Sequence, residues 1–131
     1  MTSSKFTVFM TAWLASESLS DNLKRNAVLS NQLFNFGFPV EVVAGKYEHA
    51  DEQSFAVGVH GRDTVEMLAR YAARTLEQEC VLVVDNDEHK AELVYSDGKR
   101  EALGTWRTIP EDEAAISPAC SFYRGMWWLA Q

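Results

Sequence analysis

Polar side chains gather where a predicted helix runs directly into an apolar strand. Gln78 and Glu79 end that helix, and the apolar run 80–85 begins directly after them. Tyr47 and Glu52 lie upstream, in a polar connection between two other predicted strands. These residues offer charge and hydrogen bonds rather than a nucleophilic triad. We therefore treat this junction as a candidate site.

A second polar group, with Asp85 and His89 at its ends, has the side-chain types of a metal site. It lacks the glycine and terminal glutamate of a calcium loop, and it lacks separated histidines for zinc. We interpret it as a solvated hairpin and expect no metal and no separate cofactor. Cys80 and Cys120 lie far apart without a CxxC pair, so we expect buried thiols in a reducing compartment.

Composition narrows the class of protein. The chain has 131 residues, of which 47% are apolar, so we expect one domain over residues 1–131. A net charge of -7 argues against nucleic-acid binding, which needs clustered basic residues, but an acidic surface tolerates a cationic ligand. The N-terminal apolar run is too short and polar for a membrane span and has no cleavage signature, so we expect a cytoplasmic protein with no membrane partner.

The first half of the chain alternates strands and helices. β-branched and aromatic residues predict a strand over 5–14, and capping residues at 18–21 predict a helix that stops at Gly37 and Pro39. Further strands are predicted over 40–44 and 54–60, joined by the polar connection 45–53. We expect the first helix to pack through residues that recur with helical spacing: Leu23, Ala27, Val28, Leu33 and Phe34.

A second helix follows Gly61, and Asp63 and Glu66 are spaced as in a capping box. Its predicted apolar face is Val65, Leu68, Ala69, Ala72 and Leu76. Strands are then predicted over 80–85, 91–96 and 100–109, the last two joined at Asp97-Gly98, and the apolar tail 120–129 is a last strand or a docked segment. The order β-α-β-β-α-β predicts an α+β, ferredoxin-like split βαβ sandwich with a C-terminal hairpin, similar to trimeric PII-like regulators.

Residues 5–109 resemble the phage-encoded S-adenosylmethionine lyases, a family first described as hydrolases. The clearest matches are Cys80-Val81-Leu82-Val83 and Leu93-Val94-Tyr95, and Gln78 precedes the first of them in the pattern Glu-Gln-acid-Cys-Val-Leu-Val. The resemblance implies an enzyme that splits S-adenosylmethionine into 5'-methylthioadenosine and homoserine lactone. In that reaction the substrate's own carboxylate attacks its γ-carbon, and loss of S-adenosylmethionine counters host restriction and modification.

The resemblance also implies roles for individual residues. Glu52 would hold the ammonium or sulfonium charge, with Asp51 as the alternative if the alignment shifts by one residue. Tyr47 would hydrogen-bond the substrate carboxylate or stack nearby, and Gln78 would meet the glutamate across a subunit boundary of a homotrimer. Trp13 would cover the adenine, with a place in the buried core as its alternative, and Glu79 is the substitute for Gln78 if the alignment shifts.

Other functions remain open at this point. A hydrolase that forms homoserine directly is the nearest alternative, because a lactone released into water can open afterwards. A ferredoxin-like module that binds a nucleotide or amino acid without turnover would use the same loop. An acidic protein that imitates DNA is the weakest alternative, because basic residues are interspersed with the acidic ones throughout the chain.

Overall fold

The computed structural model describes residues 4–131, and within them eight strands form one closed antiparallel barrel. The strands are β1 (Phe6–Met10), β2 (Val40–Tyr47), β3 (Ala50–Val59), β4 (Cys80–Asp85), β5 (Lys90–Tyr95), β6 (Arg100–Ile109), β7 (Cys120–Tyr123) and β8 (Met126–Ala130). The helices of this part of the chain are α1 (Leu19–Asn35), α2 (Arg62–Thr75) and α3 (Glu111–Ile116). Neighbouring strands follow the order β1-β3-β2-β7-β8-β6-β5-β4, and β4 pairs with β1 to close the ring.

The ferredoxin-like sandwich predicted from the sequence, with its similarity to PII-like regulators, is wrong. The elements up to β4 follow the expected order, and β3 lies between β1 and β2. The sheet does not end at β2 and β4, however, because β7 pairs with β2 and β5 pairs with β4. β6 and β8 then join those two edges. Closure gives each of the eight strands a partner strand on both sides, so the apolar tail completes the fold instead of docking onto it.

Aromatic side chains fill the barrel. The barrel core consists of Phe9, Val43, Ala56, Val84, Ala91, Trp106 and Tyr123. The Phe9 ring lies 5.3 Å from the ring of Trp106 and 5.6 Å from that of Tyr123, measured between centroids. Trp128 of β8 stacks on Trp106 at 5.9 Å. Two of these aromatic residues come from the C-terminal strands β7 and β8, so the tail supplies part of the core as well as the closing strands.

A second core lies between the outer face of β4, β1 and β3 and the helices α1 and α2. The buried face of α2 agrees with the prediction at Val65, Leu68, Ala69, Ala72 and Leu76. Its predicted capping box does not form, because α2 begins at Arg62 with Gly61 as an N-cap that makes no side-chain bond. None of the described helices is both long and apolar enough to cross a membrane.

The buried face of α1 differs from the predicted one. Ser18 caps the helix as predicted, and its Oγ accepts a hydrogen bond of 3.1 Å from the N–H of Asp21. The helix then buries Asn22, Asn26, Leu29 and Leu33. Of the predicted apolar face only Leu33 is buried, and Phe34 is 79% exposed. The buried face of α1 therefore includes two asparagine side chains that the prediction left out.

The connection between β2 and β3 is much shorter than predicted. Residues 45–53 were expected to form a polar loop, but β2 continues to Tyr47 and β3 begins at Ala50. Glu48 and His49 form the turn, both with positive φ as a two-residue hairpin of this twist requires. His49 N–H also donates to the carbonyl of Pro118. The predicted loop residues are thus placed on two rigid, paired strands.

The acidic turn after β4 is bound to the N-terminal segment. Lys5 Nζ lies 3.0 Å from a carboxylate oxygen of both Asp85 and Asp87. Burial alone would raise the pKa of Asp85, but hydrogen bonds from Lys5 and from the N–H groups of Glu88 and Asp87 outweigh it and lower that pKa. Among residues 4–131 no three His, Cys, Asp or Glu side chains gather closely enough to hold a metal ion.

Gly104 is a position where any side chain is expected to destabilise the fold. It has φ +109°, and a Cβ built on it would lie 2.5 Å from the backbone carbon of Gln131. We expect Gly104→Ala to destabilise the protein by more than the roughly 1–2 kcal/mol that a left-handed backbone alone costs. Gly37→Ala is the matched control, because Gly37 has φ +84° with open space around it. Urea unfolding of both variants measures the difference, and equal losses would show that the C-terminal residue does not pack against β6.

Candidate functional site

The site is at the end of the barrel where β1 and β2 end and β3 and β4 begin, which we call the site end. Glu52 is the carboxylate here. It lies two strand periods before Ala56 of the barrel core, so alternation places it on the inward face of β3. Glu52 is half-buried and has no ion-pair partner among residues 4–131. Burial raises the pKa of its carboxyl, because the ionised form is desolvated and no neighbouring positive charge compensates for it.

The strand opposite Glu52 has no side chain at the paired position. Glu52 pairs with Gly45 of β2, and Gly45 in turn pairs with Ser121 of β7. A Cβ on Gly45 would lie 3.4 Å from the Cys120 carbonyl and 4.0 Å from Ser121 Oγ, so its contacts would be close but ordinary. The inward face beside the carboxylate is therefore bare backbone on one side.

Tyr47 lies on the same face of the β2–β3 hairpin as Glu52, but its side chain is more exposed. It pairs with Ala50, so Glu52 is its diagonal neighbour on the same side of the hairpin, at the 7–8 Å or so typical of such pairs. The Tyr47 side chain is 61% exposed. The phenol is therefore placed where it could reach a ligand held by Glu52.

Trp13 and Gln78 are in direct contact. Gln78 Nε2 donates a hydrogen bond of 2.9 Å to the backbone carbonyl of Trp13, just beyond the end of β1. The last β1–β3 pair is Met10 with Phe55, and continuing that register would set Trp13 opposite Glu52. Continuing the β1–β4 register, which pairs Phe9 with Leu82, would set Trp13 opposite Gln78. Both ladders end before these positions, so it is the extended registers that would place three predicted site residues, Glu52, Trp13 and Gln78, on one row.

In the extended registers Trp13 would lie between Glu52 and Gln78, and two strand spacings would set their backbones roughly 10 Å apart. A molecule bound at the site end would have to bridge this distance to meet both groups. The structure contains one chain, so the homotrimer with sites between subunits stays a prediction.

Gln78 does not end the second helix as predicted, because α2 stops at Thr75, and the turn between α2 and β4 that carries Gln78 has a constrained backbone. Glu77 has φ +60°, which is costly for a residue with a side chain, and Gln78 N–H donates back to the Ala72 carbonyl at 3.1 Å. Arg25 of α1 holds this turn in place: its Nη2 donates to the Leu76 carbonyl at 3.3 Å, and its Nε donates to that of Ala12 at 2.6 Å. The position of Gln78 is therefore set by both helices and by the segment after β1.

Glu79 lies in a different pocket. A cavity of about 560 Å³ is lined by Glu79 and by the β5–β6 hairpin, including Tyr95 and Glu101. Glu52 does not line it. Burial and the charge of Glu79 raise the pKa of the adjacent Cys80 thiol, so that thiol is protonated at neutral pH and is a poor nucleophile. Glu79 is therefore apart from the row formed by Glu52, Trp13 and Gln78.

The prediction missed Asn26 and Thr11, which contact the backbone next to Glu52. Thr11 Oγ1 and Asn26 Nδ2 both donate to the carbonyl of Gln53, at 2.7 and 2.9 Å. The sequence did contain a signal for Asn26. Asn22, Asn26, Leu29 and Leu33 have the spacing of one helix face, which puts two amides in line with two leucines.

This geometry defines a class of site. An unpaired, half-buried carboxylate beside exposed backbone, with an indole, a phenol and an amide at the same end of the barrel, suits a small cationic molecule that also carries polar groups. The chain belongs to the S-Adenosylmethionine lyase family: the sequence model of that family matches residues 8–131, almost the whole chain. The protein is therefore an enzyme of the S-adenosylmethionine lyase class, and its substrate is a sulfonium cation that also carries an ammonium group. Comparison with curated proteins finds no match.

Proposed function

We propose that the protein cleaves S-adenosylmethionine into 5'-methylthioadenosine and L-homoserine lactone. The bond that forms joins a carboxylate oxygen of the substrate to its γ-carbon, and the bond that breaks joins that carbon to the sulfonium sulfur. The sulfur keeps the electron pair and leaves as a neutral thioether, and no water enters. The observation that carries the proposal is the half-buried carboxylate of Glu52, which has no ion-pair partner among residues 4–131 and lies at the same end of the barrel as the hydrogen-bonded Trp13 and Gln78.

Such a reaction makes few demands on acid–base groups. The attacking carboxylate is already ionised near neutral pH and the leaving thioether needs no proton, so neither a strong base nor a strong acid is required. The main requirement is to fold the methionine chain so that oxygen, carbon and sulfur lie in line. Orientation of this kind can supply roughly 7–11 kcal/mol. Rigid strand ends that hold both ends of the substrate suit this requirement.

Glu52 would supply the charge that selects a cationic substrate. A positive ligand beside a desolvated carboxylate favours the ionised form and lowers the pKa that burial has raised. Binding of the cation and ionisation of Glu52 therefore reinforce each other. Because the substrate's opposite charges are consumed on the way to neutral groups, a site drier than bulk water also favours the transition state.

The other side chains would position the rest of the substrate. Trp13 has the apolar surface to cover the adenine, and the exposed phenol of Tyr47 can donate to the substrate carboxylate. Gln78 carries no charge, so it would orient polar groups without competing with Glu52. Glu79, in the neighbouring pocket, would act on the substrate through its charge and not through direct contact. Consumption of S-adenosylmethionine in a bacterial host would also deprive restriction and modification enzymes of that molecule.

Turnover of S-adenosylmethionine by the purified protein tests the proposal. We expect 5'-methylthioadenosine to accumulate in proportion to enzyme concentration, as measured by liquid chromatography with ultraviolet detection. Protein denatured by heat is the control for spontaneous decay of the substrate. Tight binding by calorimetry with no release of 5'-methylthioadenosine over hours would reject catalysis and would identify a binding module.

A further inference from the structure

The strand that carries Glu52 lacks backbone pairing on one side. The ladder between β1 and β3 ends at the pair of Met10 and Phe55, so residues 50–54 of β3 are paired by backbone to β2 alone. On the other side, the Gln53 carbonyl accepts hydrogen bonds from the side chains of Thr11 and Asn26. Side chains therefore replace the missing ladder directly beside Glu52.

Asn26 makes contacts with two segments at once. Its side chain is fully buried, and its Oδ1 accepts a hydrogen bond of 2.8 Å from the N–H of Ala12. Its Nδ2 donates to the carbonyl of Gln53 at 2.9 Å and to the Gln53 side chain at 3.1 Å. One amide thus fixes the chain after β1 relative to the first half of β3.

The same contacts extend to the other residues of the row. Thr11 Oγ1 accepts a hydrogen bond of 3.0 Å from the N–H of Trp13, and the Trp13 carbonyl accepts the bond from Gln78. Thr11 and Asn26 therefore connect the backbone beside Glu52 to Trp13, and through Trp13 to Gln78. No apolar residue at position 26 could make these bonds.

We propose that Asn26 is a positioning residue for the reaction: with Thr11, it sets the distance between Glu52 and the segment Ala12-Trp13, to which Gln78 is hydrogen-bonded and which would hold the other end of the substrate. This inference rests on the proposed function and adds to it a residue that does not touch substrate. Because displacement by about 1 Å can cost a large factor in rate, loss of Asn26 should lower kcat more than it raises KM.

Asn22 provides a matched control one turn earlier on α1. It is also buried, at 2% exposure, and its Oδ1 and Nδ2 bond to the N–H and carbonyl of Leu14 at 2.9 and 3.0 Å. It makes no hydrogen bond to β3. Asn22→Ala and Asn26→Ala remove the same group from the same helix face, so their stability losses should be similar, while their effects on catalysis should differ.

The experiment measures kcat and KM for S-adenosylmethionine in wild-type protein, Asn22→Ala and Asn26→Ala, with urea unfolding of each. We expect Asn26→Ala to lower kcat about tenfold relative to Asn22→Ala, with KM changed less than about threefold. Equal kcat values for two variants of equal stability would overturn the positioning role. Wild-type protein that releases no 5'-methylthioadenosine would instead reject the proposed function, and this inference with it.

Thr11 gives a second test that does not depend on how well Asn26→Ala folds. Thr11→Val keeps the shape and removes the hydroxyl that donates to Gln53, whereas Thr11→Ser keeps the hydroxyl. We expect Thr11→Val to lower kcat several-fold and Thr11→Ser to recover most of that loss. If the two variants have the same kcat, the contact to Gln53 does not position the site.

Discussion

Replacing Glu52 with glutamine is expected to lower kcat/KM for S-adenosylmethionine at least about tenfold, which corresponds to roughly 1.4 kcal/mol of transition-state stabilisation. Glutamine keeps the size of the side chain and its place on β3, and it removes the charge that faces a cationic substrate. Steady-state kinetics on the purified variant measure the effect. Unchanged kinetics would reject Glu52 as a group that acts on the substrate.

The same substitution should not weaken the fold at neutral pH. Burial raises the pKa of Glu52 in the folded protein above its unfolded value, so the folded state binds the proton more tightly. Ionisation at neutral pH therefore costs stability, and that cost disappears as the pH falls through the folded pKa. We expect the Tm of Glu52→Gln to equal or exceed that of wild type at pH 7, with the two values converging toward about pH 4. A Tm well below wild type at pH 7 would make the activity loss structural.

Asp51 is the matched control for this experiment. It is the adjacent carboxylate, it is exposed, and it lies opposite Lys46 of β2 on the other face of the strand. Asp51→Asn should leave kcat/KM within about twofold of wild type. A loss of activity in Asp51→Asn with normal activity in Glu52→Gln would show that the alignment is shifted by one residue.

Trp106→Ala is expected to destabilise the protein by about 3–5 kcal/mol, a large part of the stability of a domain of this size. Trp106 is 6% exposed, and its ring contacts Phe9 and stacks on Trp128. Its removal would leave a cavity inside a closed barrel, where the surrounding strands cannot collapse without losing pairing. Urea unfolding followed by far-ultraviolet circular dichroism measures the loss.

Phe34→Ala is the control for Trp106→Ala, because Phe34 is 79% exposed on α1. We expect its free energy of unfolding to stay within about 0.5 kcal/mol of wild type. A small effect of Trp106→Ala would mean that β6 lies outside the main core, as it would in a two-layer sandwich with an added hairpin. That result would contradict the closed barrel.

Sequence patterns predicted local elements better than their closure into a barrel. The apolar run of β4 and the hairpin at Asp97-Gly98 could be predicted because each is encoded over a few adjacent residues. Closure depends on β7 pairing with β2, across about 75 residues of chain, and no local pattern specifies such a pairing. The apolar composition of the tail indicated that Trp127 and Trp128 pack against other parts of the protein, but it did not indicate against which strands.

The error on α1 has a physical cause of the same kind. Apolar periodicity selected exposed residues because it gave no credit to Asn22 and Asn26, whose amides are buried only because they bond to the backbone after β1 and to β3. Those partners lie outside α1, so the periodicity of the helix does not reveal them. The candidate site residues came from the resemblance to a family and their roles stay a prediction, to which the coordinates add the hydrogen bond between Gln78 and Trp13. The hydrogen bonds that position them could not be seen without coordinates.

The most direct test of the proposed reaction is the order in which its products appear. Purified protein is mixed with S-adenosylmethionine in water enriched in heavy oxygen, and samples taken over seconds to minutes are analysed by mass spectrometry. Homoserine lactone with natural oxygen should appear first, together with 5'-methylthioadenosine, and any homoserine should follow at the rate measured for authentic lactone under the same conditions. Homoserine that carries heavy oxygen from the earliest sample, formed faster than the lactone opens, would contradict intramolecular attack and would establish a hydrolase.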